Sequence, residues 1–425
     1  MAGLAALVLA LSLLVPAVAA AQNDNITPTR RADSPFTLEK RLELEVENER
    51  NFDLDRSDRE DVVEVEPLLR LGATYQRDER WLGFVEVELG RNIERESGEP
   101  TEGRTLLRIN QAYVGWNEII KDVELRVGRW LYRDEREWMF DESIDGVHAL
   151  YDDDGIEIDA FAGRVNHWQR DLLDDETKGD SVNTLAVLAR YELAEDVTIG
   201  AYAVHRNDVS HRTGRLSFMG LRSHGEPNDA IRYWAELAHV RGNDGERRVR
   251  GNAVDFGGAY SFNALPWRPR LLVGYARGSG DDNPDDDTDR SFRQTGLQSN
   301  EARLGGIAKF KFYGEALDPE LSNLAILSTG IGFRPSKSLS IDLLLHRYRQ
   351  PVIAEELRLE IEPGDDTAAS PRIGSEIDVV AGYRPTDDFV LEVVLGQFRP
   401  SSRFRNDDRK ADNALFGRVE MKLRF

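Results

Sequence analysis

From Arg418 to the end of the chain, charged and apolar residues alternate one for one. Val419, Met421, Leu423 and Phe425 are interleaved with Arg418, Glu420, Lys422 and Arg424. Successive side chains of an extended strand leave opposite faces, so this segment carries one wholly apolar face and one wholly ionic face. The same period recurs far upstream. Leu42, Leu44 and Val46 alternate with Arg41, Glu43, Glu45 and Glu47, and Val85, Val87 and Leu89 with Glu86 and Glu88. Ile156, Ile158 and Ala160 alternate with Glu157 and Asp159, and Ile231, Tyr233, Ala235 and Leu237 with Arg232, Trp234 and Glu236. A soluble sheet would turn its apolar face to a core and its ionic face to bulk water. A barrel in the bacterial outer membrane turns the apolar face to hydrocarbon and the ionic face to a wet lumen. Ionic faces on this many strands, in a chain with 31% charged residues, fit the barrel and not the sandwich. Phe425, an aromatic residue closing the last strand, points the same way. The expected class is therefore all-β: a transmembrane antiparallel β-barrel of about 18 strands.

One run alone, Leu4 to Ala21, approaches the roughly 18 apolar residues that a membrane helix needs. Pro16 and the small residues Ala19, Ala20 and Ala21 before Gln22 give it the form of a cleavable secretory signal, residues 1–21. No Lys or Arg precedes the apolar stretch, which leaves the true start of the signal open to an upstream position; an N-terminal anchor helix fits the Ala-rich end less well. Residues 22–35 would then be a periplasmic segment and 36–425 the barrel. The absence of cysteine excludes disulfides and thiol chemistry. A net charge of −22 argues against a nucleic-acid partner, which needs a basic surface.

The connections sort into two lengths. Short ones lie at 76–80, 117–122, 152–155, 194–196, 263–268, 334–338 and 384–388. Long polar ones lie at 48–61, 92–103, 165–181, 278–300, 351–371 and 399–412. Short turns belong on the periplasmic side and long loops outside, and an even strand number keeps both chain ends periplasmic. The blocks number one more than parity allows. The weakest is Arg303–Tyr313, with poor alternation and the pair Gly305-Gly306. Removing it makes 279–322 a single long outer loop, which either folds inward as a constriction or lies on the surface. Tyr75, Trp81, Tyr113, Trp116, Tyr191 and Tyr260 fall near strand ends, where interfacial girdles form.

Two longer runs carry a family resemblance. The first is Gly128-Arg129-Trp130, then Arg133-Asp134-Glu135-Arg136-Glu137-Trp138-Met139-Phe140-Asp141 and Ile144-Asp145-Gly146-Val147. The second runs from Tyr275-Ala276-Arg277-Gly278-Ser279-Gly280 through Phe292-Arg293-Gln294-Thr295-Gly296-Leu297-Gln298-Ser299-Asn300. It ends in Gly314-Glu315-Ala316-Leu317 and Glu320-Leu321-Ser322-Asn323-Leu324. In this order they resemble the alginate export porin family. The resemblance spans essentially the whole mature chain and is weakest between 165 and 265. It implies an eighteen-stranded outer-membrane barrel, monomeric and without cofactor, whose basic lumen passes an anionic polyuronate. It implies pore roles for Arg70 and Arg108, and for Arg41 or its neighbour Lys40. Arg129 and Arg133 belong to the first run. The chain departs from the family at Leu131, Glu301 and Glu392, where basic residues are expected, although Arg303 and Lys309 lie near Glu301. The long periplasmic loop before the penultimate strand is reduced to 384–388.

Each of these cations has a plainer reading. Arg70, Arg108, Arg129 and Arg133 could pair with luminal acids such as Glu66 and Glu124 and brace the wall, while Asp141 and Asp145 could order the loop. The run Gly280–Asp289 offers Asp281, Asp282, Asp285 and Asp287 as a weak calcium candidate. It lacks helix-loop-helix spacing, and a solvated acidic tip is the commoner outcome. None of the seven histidines lies in a recognisable serine nucleophile motif, so no enzyme is expected. The expected partners are an anionic polysaccharide or another anionic solute, outer-membrane lipid and lipopolysaccharide, and periplasmic export proteins. The alternative is a porin on the same scaffold for a different small solute, working in uptake.

Overall fold

The computed structural model describes residue 28 and residues 34–55, 61–78, 80–174, 181–209, 214–353, 359, 370–406 and 409–425. The expected signal segment, 1–21, lies outside them. Eighteen antiparallel strands close into a barrel. They begin with β1 (Phe36–Arg50), β2 (Asp61–Tyr75), β3 (Trp81–Glu96), β4 (Glu102–Ile120), β5 (Val123–Arg133), β6 (Asp141–Asp153) and β7 (Ile156–Val165). There follow β8 (Val182–Ala194), β9 (Val197–Asp208), β10 (Gly214–Asn228), β11 (Ile231–Asp244), β12 (Arg247–Ser261) and β13 (Arg270–Gly278). The long connection after β13 holds three two-residue strands, β14 (Thr288–Asp289), β15 (Glu301–Ala302) and β16 (Phe310–Lys311). The wall resumes with β17 (Ala325–Ser336), β18 (Leu339–Arg349), β19 (Arg372–Thr386) and β20 (Phe389–Pro400). A small loop hairpin, β21 (Arg405–Asn406) and β22 (Arg409–Lys410), precedes the last wall strand, β23 (Ala414–Arg424).

Ring closure is the pairing of β1 with β23, with Leu42 opposite Leu423 and Val46 opposite Val419. Closure leaves no sheet edge, the condition for a sheet to cross hydrocarbon. The two-residue turns on the side of the chain ends use residues that tolerate positive φ: Asp122 (62°), Asp154 (51°) with Gly155 (78°), and Asp196 (57°). The wall is inverted relative to a soluble sheet. Leu38, Val85, Leu237, Phe256, Val273 and Leu343 are exposed on the outside, whereas Glu86, Glu88, Asp255, Asp342, Glu376 and Asp378 are buried inside.

Two expectations need refinement. The segment expected as a long connection at 92–103 is mostly ladder: Ile93 pairs with Gly103 and Glu94 with Glu102. The hairpin simply continues beyond its apolar stretch, because ladder hydrogen bonds are as available in water as in lipid. Arg303–Tyr313 is not a wall strand, yet it is partly paired, with Glu301 opposite Lys311 and Ala302 opposite Phe310.

The wall is interrupted between β4 and β5. Their ladder stops at the pair Ala112–Arg129. At that level β5 bends at Gly128 (φ +133°), where a Cβ would lie 2.2 Å from the carbonyl oxygen of Ala112. Above the bend the β5–β6 tip leans inward. The gap is filled by the loop after β7: Ile109 N donates to Arg170 O (3.1 Å) and Leu172 N to Leu107 O (2.8 Å).

Candidate functional site in the barrel lumen

The connection 279–324 enters the barrel and packs along its inner wall. Near the chain-end side, Ile307 N donates to Ser340 Oγ (2.8 Å). Higher up, the Glu376 carboxylate accepts from Ala316 N (2.6 Å) and Leu317 N (3.1 Å). Tyr348 donates its hydroxyl proton to Tyr313 O (2.8 Å). Phe292, Phe310, Phe312, Tyr313, Leu317 and Leu321 are buried in or under this plug.

The inward-leaning β5–β6 tip, which includes a one-turn 3-10 helix at Glu135–Glu137, completes the plug. Trp138, Met139 and Phe140 are each at most 1% exposed. Trp138 Nε1 donates to the Tyr313 hydroxyl (2.8 Å). Asp141 N donates to Leu297 O (2.6 Å), and Glu137 O accepts from Ser299 N (3.2 Å) and Asn300 N (3.1 Å). The two sequence runs that carry the family resemblance are thus the two halves of one internal body.

Among the described residues, three cavities that bear on the site lie between plug and wall. The largest, about 400 Å³, opens at the chain-end side. It is lined by Arg41, Arg232, Arg303, Arg334, Arg384, Lys422 and Arg424, against Asp387, Asp388 and Glu392. Seven cations face three carboxylates, a formal excess of four positive charges. A second cavity of about 370 Å³ shares Arg232 and Arg303 with the first and adds Arg133, Arg136, Glu137 and Lys309. A third, about 170 Å³, is balanced: Arg70, Arg133, Lys309, Arg418 and Lys422 face Glu43, Glu45, Glu301, Glu392 and Glu420. Shared lining residues make the three a connected series.

The candidate cations fall into separate settings. Arg41 and Arg303 line the basic vestibule. Arg70 sits among three acids, 2.6 Å from Glu43, 2.7 Å from Glu88 and 3.4 Å from Glu86. Arg108 pairs with Glu66 at 3.0 Å. Arg129 is buried and bound through two nitrogens to Asp145 (2.6 and 2.7 Å), and it also donates to Ile109 O. It braces the interruption in the wall. Arg133 pairs with Asp141, and Lys309 lies 2.6 Å from Glu137. Arg232, Arg334, Arg384, Lys422 and Arg424 were not among the expected residues. Their signal in the sequence is weak: each sits at an inward parity near a short turn or a chain end.

The acidic run is organised by arginines. Asp281 meets Arg247 (2.7 Å) and Arg290 (3.2 Å), Asp286 meets Arg290 (2.8 Å), and Asp287 meets Arg248 (2.9 Å). Among the described residues no group of three or more His, Asp or Glu converges as a metal would require, so the weak calcium candidate finds no cage. The guanidinium of Arg290, with the amide of Thr288, holds Asp286 down at about 2. A carboxyl depressed below its unfolded value of 3.8 steadies the loop tip above that pH and stops doing so as pH falls through about 2. Pepsin is expected to cut the tip 281–290 only as pH falls towards 2, and to cut Asp286→Asn already near pH 4. Equal cutting of both proteins across that range would contradict this.

Ser328 Oγ lies 2.8 Å from His346 Nδ1, and His346 Nε2 lies 3.2 Å from Asp378. This has the outline of a nucleophile relay. It is roofed by the plug, however, and Ser328 Oγ also donates to Phe312 O (3.4 Å). The adjoining space is about 10 Å³, too small for any substrate.

Comparison with known proteins followed the same lines. The family model described as alginate export matches residues 34–418. A Pseudomonas aeruginosa protein, "Alginate production protein AlgE", is 24% identical over 60% of this chain and 59% of its own length. The protein of the same name from Azotobacter vinelandii is 29% identical over 41% of this chain and 39% of its own. The matched stretch therefore spans about three-fifths or less of these relatives. Among solved structures, P. aeruginosa OccK7 (OpdD) aligns with a TM-score of 0.60 at 12% identity, covering 93% of this chain and 99% of that one. Acinetobacter baumannii OccAB2 aligns with a TM-score of 0.60 at 11% identity, covering 91% and 98%. Such low identities speak to the fold: an outer-membrane porin barrel.

Proposed function

Because the chain belongs to the alginate export family, we propose that it is a passive outer-membrane channel for an anionic polysaccharide of the polyuronate type, taken in at the periplasmic mouth and released outside. The supporting observation is the vestibule, where seven cations face three carboxylates on the side of the chain ends. A polyuronate carries a carboxylate on every sugar, and guanidinium groups can replace its counter-ions without holding any one unit tightly. Basic charge concentrated at the periplasmic mouth raises the local concentration of a polyanion where export begins. Beyond it, Arg70, Arg108, Arg133 and Lys309 lie on a charge-balanced path, which suits sliding rather than capture. Passage of a polyanion down such a path requires no catalytic step.

The narrow remaining space favours one further reading: cavities of about 400, 370 and 170 Å³ suit a short anionic solute as well as a chain. Single-channel recording in planar bilayers separates the two. Oligouronates of increasing length, added on the periplasmic side, are expected to block the current in events that lengthen with chain length. Neutral oligosaccharides of equal length are expected to block rarely. Equal blocking by neutral and charged chains would refute the anionic reading. Blocking that stops growing beyond a monomer or dimer would favour the small solute.

A further inference from the structure

The outer face of β13 and β17–β20 changes character abruptly along the strands. Its lower part is apolar: Leu271 and Val273 on β13, Leu327 on β17, Leu343 on β18, Val379 on β19 and Leu395 on β20 are all exposed. On the same outer face, towards the outer rim, stand Arg277, Arg347, Arg349, Arg372 and Arg399, every one exposed, Arg372 being turned outward by the register shift after Tyr348. The register draws the five together. Arg277 is opposite Ala325, Ala325 opposite Arg349, and Arg349 opposite Arg372. One row lower, Arg347 is opposite Ser375 and Ser375 opposite Arg399. With neighbouring strands about 4.8 Å apart, the group occupies a patch roughly 15–20 Å wide.

Like charges directly across a ladder, as in Arg349 and Arg372, oppose each other. Among the described residues none of the five pairs with a carboxylate, and Arg399 donates only to the Gln397 side chain (3.0 Å). This is notable in a chain with 77 acidic and 55 basic residues. Among the described residues, luminal arginines such as Arg70, Arg129 and Arg222 have acidic partners, whereas these five do not.

We propose that this patch is a binding site for the phosphate groups of the outer-leaflet glycolipid, the lipid A part of lipopolysaccharide. Its height settles the ligand: directly above the hydrocarbon-facing band on the side away from the chain ends, lipid headgroups are the groups that touch it. Arginine presents a planar fork of donors that fits phosphate in a bidentate manner. The acyl chains lie along Val273, Leu343, Val379 and Leu395, while the phosphates neutralise the row of guanidinium groups. The site is outside the lumen and does not depend on what the channel carries.

The test compares the intact protein with the triple variant Arg349→Ser, Arg372→Ser, Arg399→Ser in detergent. The probes are purified diphosphoryl lipid A, the same lipid without its phosphates, and a polyuronate. The intact protein is expected to bind diphosphoryl lipid A at least tenfold more tightly than the dephosphorylated form. The variant is expected to lose that preference while keeping its heat-resistant folded band and its channel conductance. Equal binding of the two lipids by the intact protein would overturn the proposal, and that arm needs no variant. So would unchanged lipid A binding in the variant, or a polyuronate competing for the patch more strongly than the lipid.

Discussion

Replacing residues 281–322 by a short flexible linker is expected to raise the single-channel conductance by on the order of tenfold. A ring of 18 strands encloses more space than its own inward side chains can fill. Here the difference is taken up by the plug, which reaches from the outer rim at Ser279 down to Ser340 near the periplasmic turns. The plug is tied to the wall mainly through side chains rather than through the ladder. Among the described residues the wall's ladder contact with that loop is the short parallel pairing of Arg248 and Val249 with Thr288 and Asp289. The carboxylate of Glu376 would lose two amide donors, Ser340 one and Asp255 the Tyr313 hydroxyl, while Arg418 and Glu392 would lose the ion pairs with Glu301 and Arg303. Water entering the widened lumen can replace them at small cost. The apolar surface of Trp138, Met139 and Phe140, now sealed against Phe292, Leu297 and Tyr313, would become exposed within the lumen. The barrel should therefore still form, with its heat-resistant band retained, and conduct as a wide pore. An unchanged conductance in a folded deletion variant would mean that the plug is not the main resistance.

The wall could be read from the residues because lipid on one side and water on the other impose a period of two on every strand. The turns could be read because two-residue connections demand Asp or Gly at positive φ. What lay inside could not be read in the same way. The plug is built from two loops separated by more than a hundred residues, and Trp138 finds Tyr313 only once the ring is closed. Parity puts Arg70, Glu43, Glu86 and Glu88 on the luminal face, but the register of β1, β2 and β3 decides that one arginine falls among three acids. The vestibule draws on β1, β11, β17, β19, β23 and the plug, so no local pattern announces it. The family resemblance singled out Arg70 and Arg108, both of which pair with neighbouring carboxylates.

That contrast fixes the second large effect. Exchanging Arg334 and Arg384 for Glu is expected to abolish the anion preference of the channel. The vestibule now has seven cations and three carboxylates; the double exchange leaves five of each, taking the formal charge from +4 to 0. Arg334 has a buried Nε without a hydrogen-bond partner, and among the described residues neither side chain forms an ion pair, so neither charge is already spent. Two unit charges about 4 Å apart in water interact by about 1 kcal/mol. Losing two attractions and gaining two repulsions therefore predicts a fall in polyuronate affinity of tenfold or more. The reversal potential in a salt gradient should move towards zero, and periplasmic oligouronate should cease to block. Arg70→Ser with Arg108→Ser should do less, because it changes the formal charge by two units rather than four, and does so away from the mouth, although it leaves Glu43, Glu66, Glu86 and Glu88 without those partners. If the Arg70 and Arg108 pair instead carried the selectivity and the vestibule exchange left it intact, the discriminating step would lie in the middle of the barrel, and charge at the mouth would only gather the polymer there.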